Sequence, residues 1–379
     1  DDHVAVGIDT YGDGRYYIRF ASNPLGSIGD NKVDSSDNFD GSYNVEFDAK
    51  AHLTDYGYEV EFKIPFSSLN FPALKEQKWT LMLSRKLYNK GTEARYMNYK
   101  KIDGAGCIIC QSDEYYTLKD VKKKNKKRLI PSFTANSITE RNNDGNMNEE
   151  PIDSEFTLGG EYEFDGNNFE FTLNPDFSQV EADQSKIDVN QTTALRFEER
   201  RIFFNEGKDF LSSDLAAVYT RSINDPEYAL KLYNRGEKHS YYFLDAEDNA
   251  TPIIVPGYQR SYSGLLGKSH ANIFSYNYNL ENGQNIGFLA TNRDYEDGGK
   301  NSLYSFRGKF LFNDIYSTKF ELVSTTMDEP ISDVINTSNV SKEHTYNLDG
   351  ESFDGYGGVF GISRTVSYTH LTLPTIEWV

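Results

Sequence analysis

The sequence predicts an all-β chain, in which a β-sandwich is followed by a second antiparallel β region with longer strands. Aromatic residues make up 14% of the chain, with 27 Tyr and 25 Phe, although hydrophobic residues reach only 37%. Aromatic residues are enriched in strands, so this composition favours many short strands rather than Leu-rich helices. Many segments also alternate apolar and polar residues between turn-forming residues, which is the period of a strand with one buried face.

The charge of the chain excludes one class of partner. The formal net charge is -19 and the pI is near 4.8. Such a charge repels phosphate backbones, so we expect no nucleic-acid partner. No apolar run is long enough for a membrane-spanning helix, but strands that cross a membrane as a barrel would not produce such a run.

Residues 1–118 are predicted to form the β-sandwich. Turn-forming residues separate its strands, and the segment Gly57–Ile64 alternates cleanly, with Tyr58 and Phe62 on the face that should be buried. The predicted strands are Val4–Asp9, Tyr16–Ala21, Tyr43–Leu53, Gly57–Ile64 and Trp79–Lys86.

Short motifs in this region resemble the family 9 carbohydrate-binding-like module. They are Asn23–Gly26, Gly29-Asp30, Thr54–Glu61, Ile64–Pro72, Trp79 and Arg85. The family's opening strands are missing, so the module is expected to be truncated at its N-terminus. The resemblance implies a glycan or oligosaccharide partner, held by aromatic rings that stack on the sugar. The candidate rings are Tyr43, Tyr56 and Tyr58, and core packing is the competing role for Tyr43 and Tyr58.

A basic run, Lys122–Arg128, marks the boundary between the two β regions. Such runs are usually solvated, so residues 119–128 are predicted to form a linker. The positive charge would also suit a position beside anionic lipid headgroups.

Residues 129–365 change to long alternating strands. After the predicted hairpin Phe156–Leu173, the segments Ala271–Leu280, Ser302–Phe312 and Ile315–Thr326 place aromatic residues on one face. The opposite face carries Ser, Asn, Arg and Lys. The pattern therefore predicts an antiparallel sheet with one aromatic face and one polar face.

The predicted connections differ at the two ends of these strands. Short turns are expected at Asn282-Gly283 and Asn313-Asp314, whereas Asp294–Asn301 and Met327–His344 are longer and polar. Strands of about ten residues with short turns at one end and long loops at the other are typical of an outer-membrane β-barrel. Outer-membrane lipid is then the expected neighbour of the aromatic face, although a soluble sandwich would alternate too.

A segment of mixed charged and aromatic residues interrupts these strands. Its motifs, Asn174–Asp183, Phe197–Gly207 and Tyr219–Ile223, have neither strand nor helix period. They resemble an uncharacterised β-barrel family that follows the sugar-binding-like module in outer-membrane proteins of Bacteroidetes-type bacteria. The resemblance implies an incomplete barrel whose lumen holds residues 174–222. The residues of this lumenal motif are Asn174, Asp176, Phe177, Glu181, Asp183, Glu198, Arg200, Arg201, Phe203, Phe204, Glu206 and Arg221.

Two roles are open for the charges of the lumenal motif. Its carboxylates could bind calcium, which prefers oxygen ligands, or they could pair with its arginines in a network that braces the segment. We favour the network, and expect no cofactor other than calcium. The carboxylates are Asp176, Glu181, Asp183, Glu198 and Glu206, and the arginines are Arg200, Arg201 and Arg221.

The sequence therefore predicts a non-catalytic outer-membrane β-barrel protein with a carbohydrate-binding-like domain, serving glycan binding or uptake. No phosphate loop, zinc-protease motif or nucleophile elbow occurs. One alternative is a secreted or surface hydrolase acting on O-glycosyl bonds, for which no carboxylate pair stands out. Another is an envelope adhesion or assembly protein. Residues 366–379 resemble a translated sequencing adapter, and we expect them to be an artefact.

Overall fold

The computed structural model describes residues 2–34, 39–41, 43–72, 74–89, 92–98, 109, 112, 115–121, 127–137, 139–141, 147–149, 152–175, 199, 201–236, 238–256, 261–280, 284–312, 316–336, 340–341 and 344–364. Over these residues the chain is all-β, as predicted, and the strand pairings are antiparallel. The single α-helix of this part, α1 (Ile202–Asn205), is one turn long. None of the described helices has the length and apolar character needed to cross a membrane.

The first sheet belongs to the N-terminal region and has the strand order β4-β3-β2-β1-β7-β8, with β9 also paired to β7. Strands β5 and β6 pair with each other in a separate two-stranded hairpin. The strands are β1 (His3–Asp9), β2 (Tyr16–Ser22), β3 (Ile28–Asp34), β4 (Phe39–Asp40), β5 (Asp48–Thr54), β6 (Gly57–Lys63), β7 (Glu76–Asn89), β8 (Thr92–Met97) and β9 (Tyr115–Lys119).

Aromatic and aliphatic side chains form the core of this N-terminal region. Phe20 and Phe71 are fully or almost fully buried, and partly buried Phe62 and Ile64 pack against the same cluster. Trp79 joins the core and donates its indole N–H to Gln77 Oε1 at 2.8 Å. The alternation predicted for Gly57–Ile64 is observed, since Phe62 and Ile64 face this core.

The structure differs from the predicted strands at several positions, and the strands β3, β4, β8 and β9 were not predicted. Residues 43–47 are extended without strand pairing, so the predicted strand Tyr43–Leu53 shortens to β5. The backbone there bonds to a side chain instead, because Val45 N–H donates to Asp30 Oδ2 at 2.7 Å. β3 was absent from the prediction because its mostly polar residues do not alternate.

The second sheet has ten strands in the order β10-β13-β14-β15-β16-β19-β20-β21-β22-β27, and it does not close on itself within the described residues. Its strands are β10 (Lys127–Asn136), β13 (Asp153–Phe164), β14 (Asn167–Leu173), β15 (Pro226–Arg235), β16 (His239–Asp248), β19 (Ser269–Asn279), β20 (Asn285–Tyr295), β21 (Lys300–Phe312), β22 (Tyr316–Asp328) and β27 (Ser352–Arg364). Short two-stranded ribbons form from β11 (Thr139–Arg141) and β12 (Met147–Glu149), β17 (Thr251–Pro256) and β18 (Ser261–Leu266), β23 (Ile331–Ser332) and β26 (Leu348–Asp349), and β24 (Val340–Ser341) and β25 (His344–Thr345).

The two ends of the ten-stranded sheet carry different connections. At the short-turn end, Asp165 (φ 48°) and Gly166 (φ 79°) join β13 to β14, and two positive φ values match a tight hairpin turn. At the opposite end, which we call the loop end, the ribbons β17–β18, β23–β26 and β24–β25 extend beyond the sheet. The prediction of a long connection at Asp294–Asn301 is wrong, because only residues 296–299 lie between β20 and β21. The predicted turns Asn282-Gly283 and Asn313-Asp314 lie outside the described residues.

The two faces of this sheet have opposite character. On the outer face, Phe288, Phe306 and Leu322 stand directly opposite one another on neighbouring strands, with 37%, 48% and 58% of their surface exposed. On the inner face one residue away, Leu289 and Ser305 are buried. The predicted alternation of an exposed aromatic face with a polar and covered face is therefore present.

Candidate functional site

One segment covers the inner face of the ten-stranded sheet. The described residues 199 and 201–225, which we call the covering segment, leave the sheet after β14 and return to it at β15. The segment contains α1 and the two 3₁₀ turns Lys208–Leu211 and Thr220–Ser222. Its apolar side chains pack with inner-face residues in one buried cluster. From the segment these are Phe204, Phe210, Leu211 and Ile223, and from the sheet Ala229, Tyr233, Tyr242, Leu244, Ala246, Ala271, Ile273 and Leu289.

Sheet side chains bind the backbone carbonyls of the covering segment. Lys231 of β15 is fully buried, and its Nζ donates to Phe203 O at 2.5 Å and to Glu206 O at 2.9 Å. Farther along the sheet, Arg307 Nη2 donates to Phe210 O at 2.8 Å. Carbonyls without regular secondary structure need such partners when water is excluded. The sheet therefore fixes the path of the segment.

Carboxylates of the sheet bind its amides in the same way. Glu321 of β22 is 1% exposed and accepts bonds from Leu215 N–H at 3.2 Å and Ser213 Oγ at 2.8 Å. Asp248 of β16 is fully buried and accepts from the Asp225 N–H at 2.7 Å. Cations of the inner face thus bind carbonyls of the covering segment, and carboxylates of the inner face bind its N–H and hydroxyl groups.

A buried ion pair, Glu199–Arg201, closes the covering segment on itself. Arg201 Nε and Nη2 donate to the two Glu199 carboxylate oxygens at 2.9 and 2.7 Å, and both residues are almost fully buried. The same guanidinium donates to Ile223 O at 2.6 Å and Thr220 O at 2.9 Å. Burial alone would raise the pKa of Glu199, but the bonds from Arg201 and Thr220 hold it below its ordinary value. The two ends of the segment are tied together through this pair.

A second charged cluster joins the covering segment to the N-terminal region. Asp209 accepts from Lys32 of β3 at 2.5 Å and from Arg235 of β15. Burial opposes its ionisation, but Arg235 and Lys32 outweigh that effect and hold the pKa of Asp209 far below its ordinary value. Arg235 also lies over the Tyr16 ring at 4.8 Å. One carboxylate therefore connects three parts of the fold.

Further contacts extend this junction along the short-turn end. Arg15 Nη1 donates to Ser240 Oγ at 2.8 Å and its Nη2 to Gly236 O at 3.3 Å. Glu206 of the covering segment accepts from Asn70 Nδ2 at 3.2 Å and from the Tyr233 hydroxyl at 3.1 Å. The N-terminal region is thus packed against the short-turn end of the sheet.

The residues predicted for the lumenal motif are only partly among those described. Within the described part, Arg201, Phe203, Phe204 and Glu206 lie in the covering segment, and Arg221 lies in its last 3₁₀ turn. Arg201 pairs with Glu199, which the prediction had not singled out. Six predicted residues lie outside the described residues: Asp176, Phe177, Glu181, Asp183, Glu198 and Arg200.

Asn174 has a different position from the rest of the motif. It is exposed, adopts φ 46°, and donates its N–H to Glu227 O at 2.7 Å. Asn tolerates this left-handed conformation better than most residues. Its role in the structure is to turn the chain away from the end of β14.

The three tyrosines predicted to stack on sugar do not form one platform. Tyr43 is partly buried at the junction, with Lys32 Nζ 5.9 Å from its ring, and burial and Glu206 raise its pKa well above the ordinary value. Tyr58 lies under Arg85 at 4.8 Å. Tyr56 is 85% exposed in the turn between β5 and β6.

Sequence reasoning missed the cations that hold the covering segment. Ala229, Lys231, Tyr233 and Arg235 alternate along β15 and all face inward, where they are buried. Lys231 and Arg235 could have been recognised from the sequence, because the alternation along β15 places them on the buried face. A buried charge must have a partner. Their partners come from other elements, so spacing along the chain could not identify them.

A cavity of about 740 Å³ lies between the covering segment, the inner face and the loop-end ribbons. Its wall combines aromatic rings with amide, hydroxyl and charged groups. Arg293 is held in this wall by Ser269 Oγ at 3.0 Å and Asp248 at 3.4 Å. The lining includes Tyr219, Tyr295, Tyr346, Asn272, Asn292 and Arg293.

We expect Asp209→Asn to destabilise the protein, because Lys32 and Arg235 would lose their shared carboxylate. Breaking a buried pair costs about 3–5 kcal/mol, and we expect about 3 kcal/mol because the Asp209 side chain keeps 29% exposure. Equilibrium denaturation followed by Trp79 fluorescence measures this. Asp214→Asn is the matched control, since its partner Lys319 is 51% exposed and exposed pairs contribute about 0–1 kcal/mol. Equal losses in the two variants would contradict the assigned role of Asp209.

We expect the stabilisation by Glu199 to disappear in acid. A carboxyl whose folded-state pKa is lowered contributes stability above its unfolded value, and this is lost as pH falls through the folded value. Glu199→Gln should therefore be less stable than the wild type at neutral pH, with the difference shrinking as pH falls below the ordinary value of 4.5. Denaturation monitored by circular dichroism between neutral and acidic pH tests this. A difference that stays constant with pH would refute it.

Comparison with known proteins gives one family match. Residues 146–239 match the model of a family described as "Domain of unknown function (DUF5916)". The matched stretch includes the hairpin β13–β14, the helix α1 and both 3₁₀ turns of the covering segment, and the strand β15 with its buried cations. A search of the curated proteins found no match. Over these residues the chain is thus similar to a family whose function is unassigned.

Proposed function

We propose that this chain forms part of the wall of an outer-membrane β-barrel, with a periplasmic sandwich domain, and that it binds or takes up glycans. The observation that carries the proposal is the outer face of the ten-stranded sheet. Its exposed Phe288, Phe306 and Leu322 form a row across three neighbouring strands. Large apolar patches of this kind mark a surface that is covered in the working protein.

Lipid is the cover that fits this face best. Outer-membrane strands alternate apolar residues towards lipid with polar residues towards the lumen. Here the polar inner residues Arg307 and Glu321 bind the covering segment, while Phe306 and Leu322 of the same strands face outward. The covering segment then occupies the lumen, as the lumenal motif was predicted to do.

The contacts of the N-terminal region support its orientation. In outer-membrane barrels the short turns face the periplasm and the long loops face outside. Arg15 reaches Gly236 and Ser240 at the short-turn end. The proposal therefore assigns the N-terminal sandwich, with its resemblance to a carbohydrate-binding-like module, to the periplasmic side.

The cavity at the loop end supports a glycan as the ligand. Its volume of about 740 Å³ suits a small organic ligand, since ligand pockets span roughly 300–1,000 Å³. Tyr295 and Tyr346 offer rings for stacking, and Asn272 and Asn292 offer amides for hydroxyl groups. In this proposal the sugar site is the cavity, rather than Tyr43, Tyr56 and Tyr58.

We expect Phe306→Arg to impair insertion into lipid. A charge on the lipid face costs about 2–4 kcal/mol at the bilayer midplane, whereas an exposed substitution in a water-soluble protein changes stability by about 0.5 kcal/mol or less. The complete barrel that contains this chain is folded into phosphatidylcholine vesicles, and insertion is read from heat-modifiable migration. Tyr56→Arg, at a residue 85% exposed in the sandwich, is the control and should insert normally. If Phe306→Arg inserts as well as the control, the outer face does not contact lipid.

We expect Tyr346→Ala to weaken oligosaccharide binding. Losing one stacked ring costs about 0.5–1.5 kcal/mol, which is roughly a twofold to tenfold increase in Kd. Calorimetry with a panel of neutral and acidic oligosaccharides provides the measurement. Tyr356→Ala serves as the matched control, because this ring is 85% exposed and outside the cavity. Absence of binding to every oligosaccharide, or equal binding by the two variants, would reject the glycan part of the proposal.

A further inference from the structure

Three carboxylates meet at the loop end, away from the covering segment. Glu329, Asp349 and Glu351 each place a carboxylate oxygen within 4.8 Å of the other two. The backbone register explains the approach, because Asp328 pairs with Ser352 at the end of the sheet and Ile331 pairs with Asp349 in the ribbon β23–β26, in the same register. Glu329 therefore stands directly opposite Glu351, and its N–H donates to Glu351 O at 2.9 Å. Like charges directly opposite each other in a ribbon are destabilising.

Glu329 adds an independent observation. It is only 9% exposed, and its Oε2 atom is buried without a hydrogen-bond partner. No ion pair with a described Lys, Arg or His is formed by Glu329 or Asp349. A buried carboxylate close to two others, with no ion pair to a described cation, requires compensation.

The rest of the cluster is held in place around these oxygens. Thr345 Oγ1 donates to Asp349 Oδ2 at 2.7 Å, which fixes the orientation of that carboxylate. Gly350, between Asp349 and Glu351, adopts φ 89°, a conformation that favours glycine. The turn at Gly350 and the ribbon register together keep the three acids on one side of the loop.

The three oxygens are close enough together to share one cation. Calcium lies 2.3–2.6 Å from its oxygen ligands, so two of its ligands can be at most about 5 Å apart. The three carboxylate oxygens lie within 4.8 Å of one another, so one calcium ion can reach all of them. Calcium also accepts several carboxylates in irregular geometry, together with carbonyl oxygens and water.

We propose that Glu329, Asp349 and Glu351 form a calcium site that holds the two strands of the ribbon β23–β26 together beside the cavity. This site differs from the lumenal carboxylates considered as calcium ligands from the sequence, and it does not depend on the membrane location of the protein. Glu329, Thr345 and Tyr346 all line the cavity. The bound ion therefore orders one wall of it.

Calorimetric titration of the folded chain with calcium chloride tests the site. We expect one ion per chain with a Kd of roughly 0.1–1 mM, the range of extracellular calcium modules, and at least tenfold weaker binding of magnesium. Glu329→Gln and Asp349→Asn should each weaken calcium binding at least tenfold. Glu296→Gln, in an exposed turn at the same end of the sheet, should bind as the wild type does. No saturable binding, equal binding of magnesium, or undiminished binding by Glu329→Gln would overturn the proposal.

Thermal unfolding provides a second test, because the difference in Tm between Glu329→Gln and the wild type should change sign when calcium is added. In EDTA, Glu329→Gln should have a higher Tm than the wild type, because it removes one of three mutually repelling charges. In millimolar calcium the order should reverse, because only the wild type is stabilised by the ion. A Tm difference that is the same in EDTA and calcium would show that Glu329 is not a ligand. Glu296→Gln should follow the wild type in both conditions.

Discussion

The structure depends on the exchange of hydrogen bonds between the inner face of the ten-stranded sheet and a segment that has almost no regular structure. Lys231 and Arg307 hold carbonyls of the covering segment, and Glu321 and Asp248 hold its amides. Neither partner is stable in a dry interior without the other, because unpaired buried polar groups cost several kcal/mol together. The segment and the sheet therefore depend on each other for stability, although the strands show a regular sequence period and the segment does not.

This dependence also explains how the N-terminal region is fixed to the sheet. Asp209 belongs to the covering segment but takes one cation from the sheet and one, Lys32, from the N-terminal region. The junction includes buried charges, and Arg235 also lies over the Phe210 ring at 4.3 Å. The ion pairs of Asp209 therefore depend on the position of the covering segment.

Sequence patterns predicted the fold class and the faces of the long strands because alternation is a local property. Phe306 outward and Arg307 inward follow directly from the period of a strand. β3 escaped prediction because its residues are polar and it is held by its neighbours in the sheet. In the site, Arg201 and Glu206 were identified as charged residues needing partners. The partners Glu199, Tyr233 and Asn70 could not all be predicted, since pairs such as Glu206–Asn70 join residues 136 positions apart.

The continuous register of β22 and β27 has a consequence for sequence change. The pairing of β22 with β27 runs without a shift from Tyr316 opposite Arg364 to Asp328 opposite Ser352, and the ribbon β23–β26 keeps the same register with Ile331 opposite Asp349. Inserting one residue within β22 would rotate Glu321 to the outer face and move Glu329 away from Glu351, because a slip of one residue exchanges the faces of a strand. Viable insertions and deletions in this strand should therefore come in pairs of residues, or be absorbed by a bulge. A one-residue insertion in β22 would therefore disturb both the inner face at Glu321 and the loop end at Glu329.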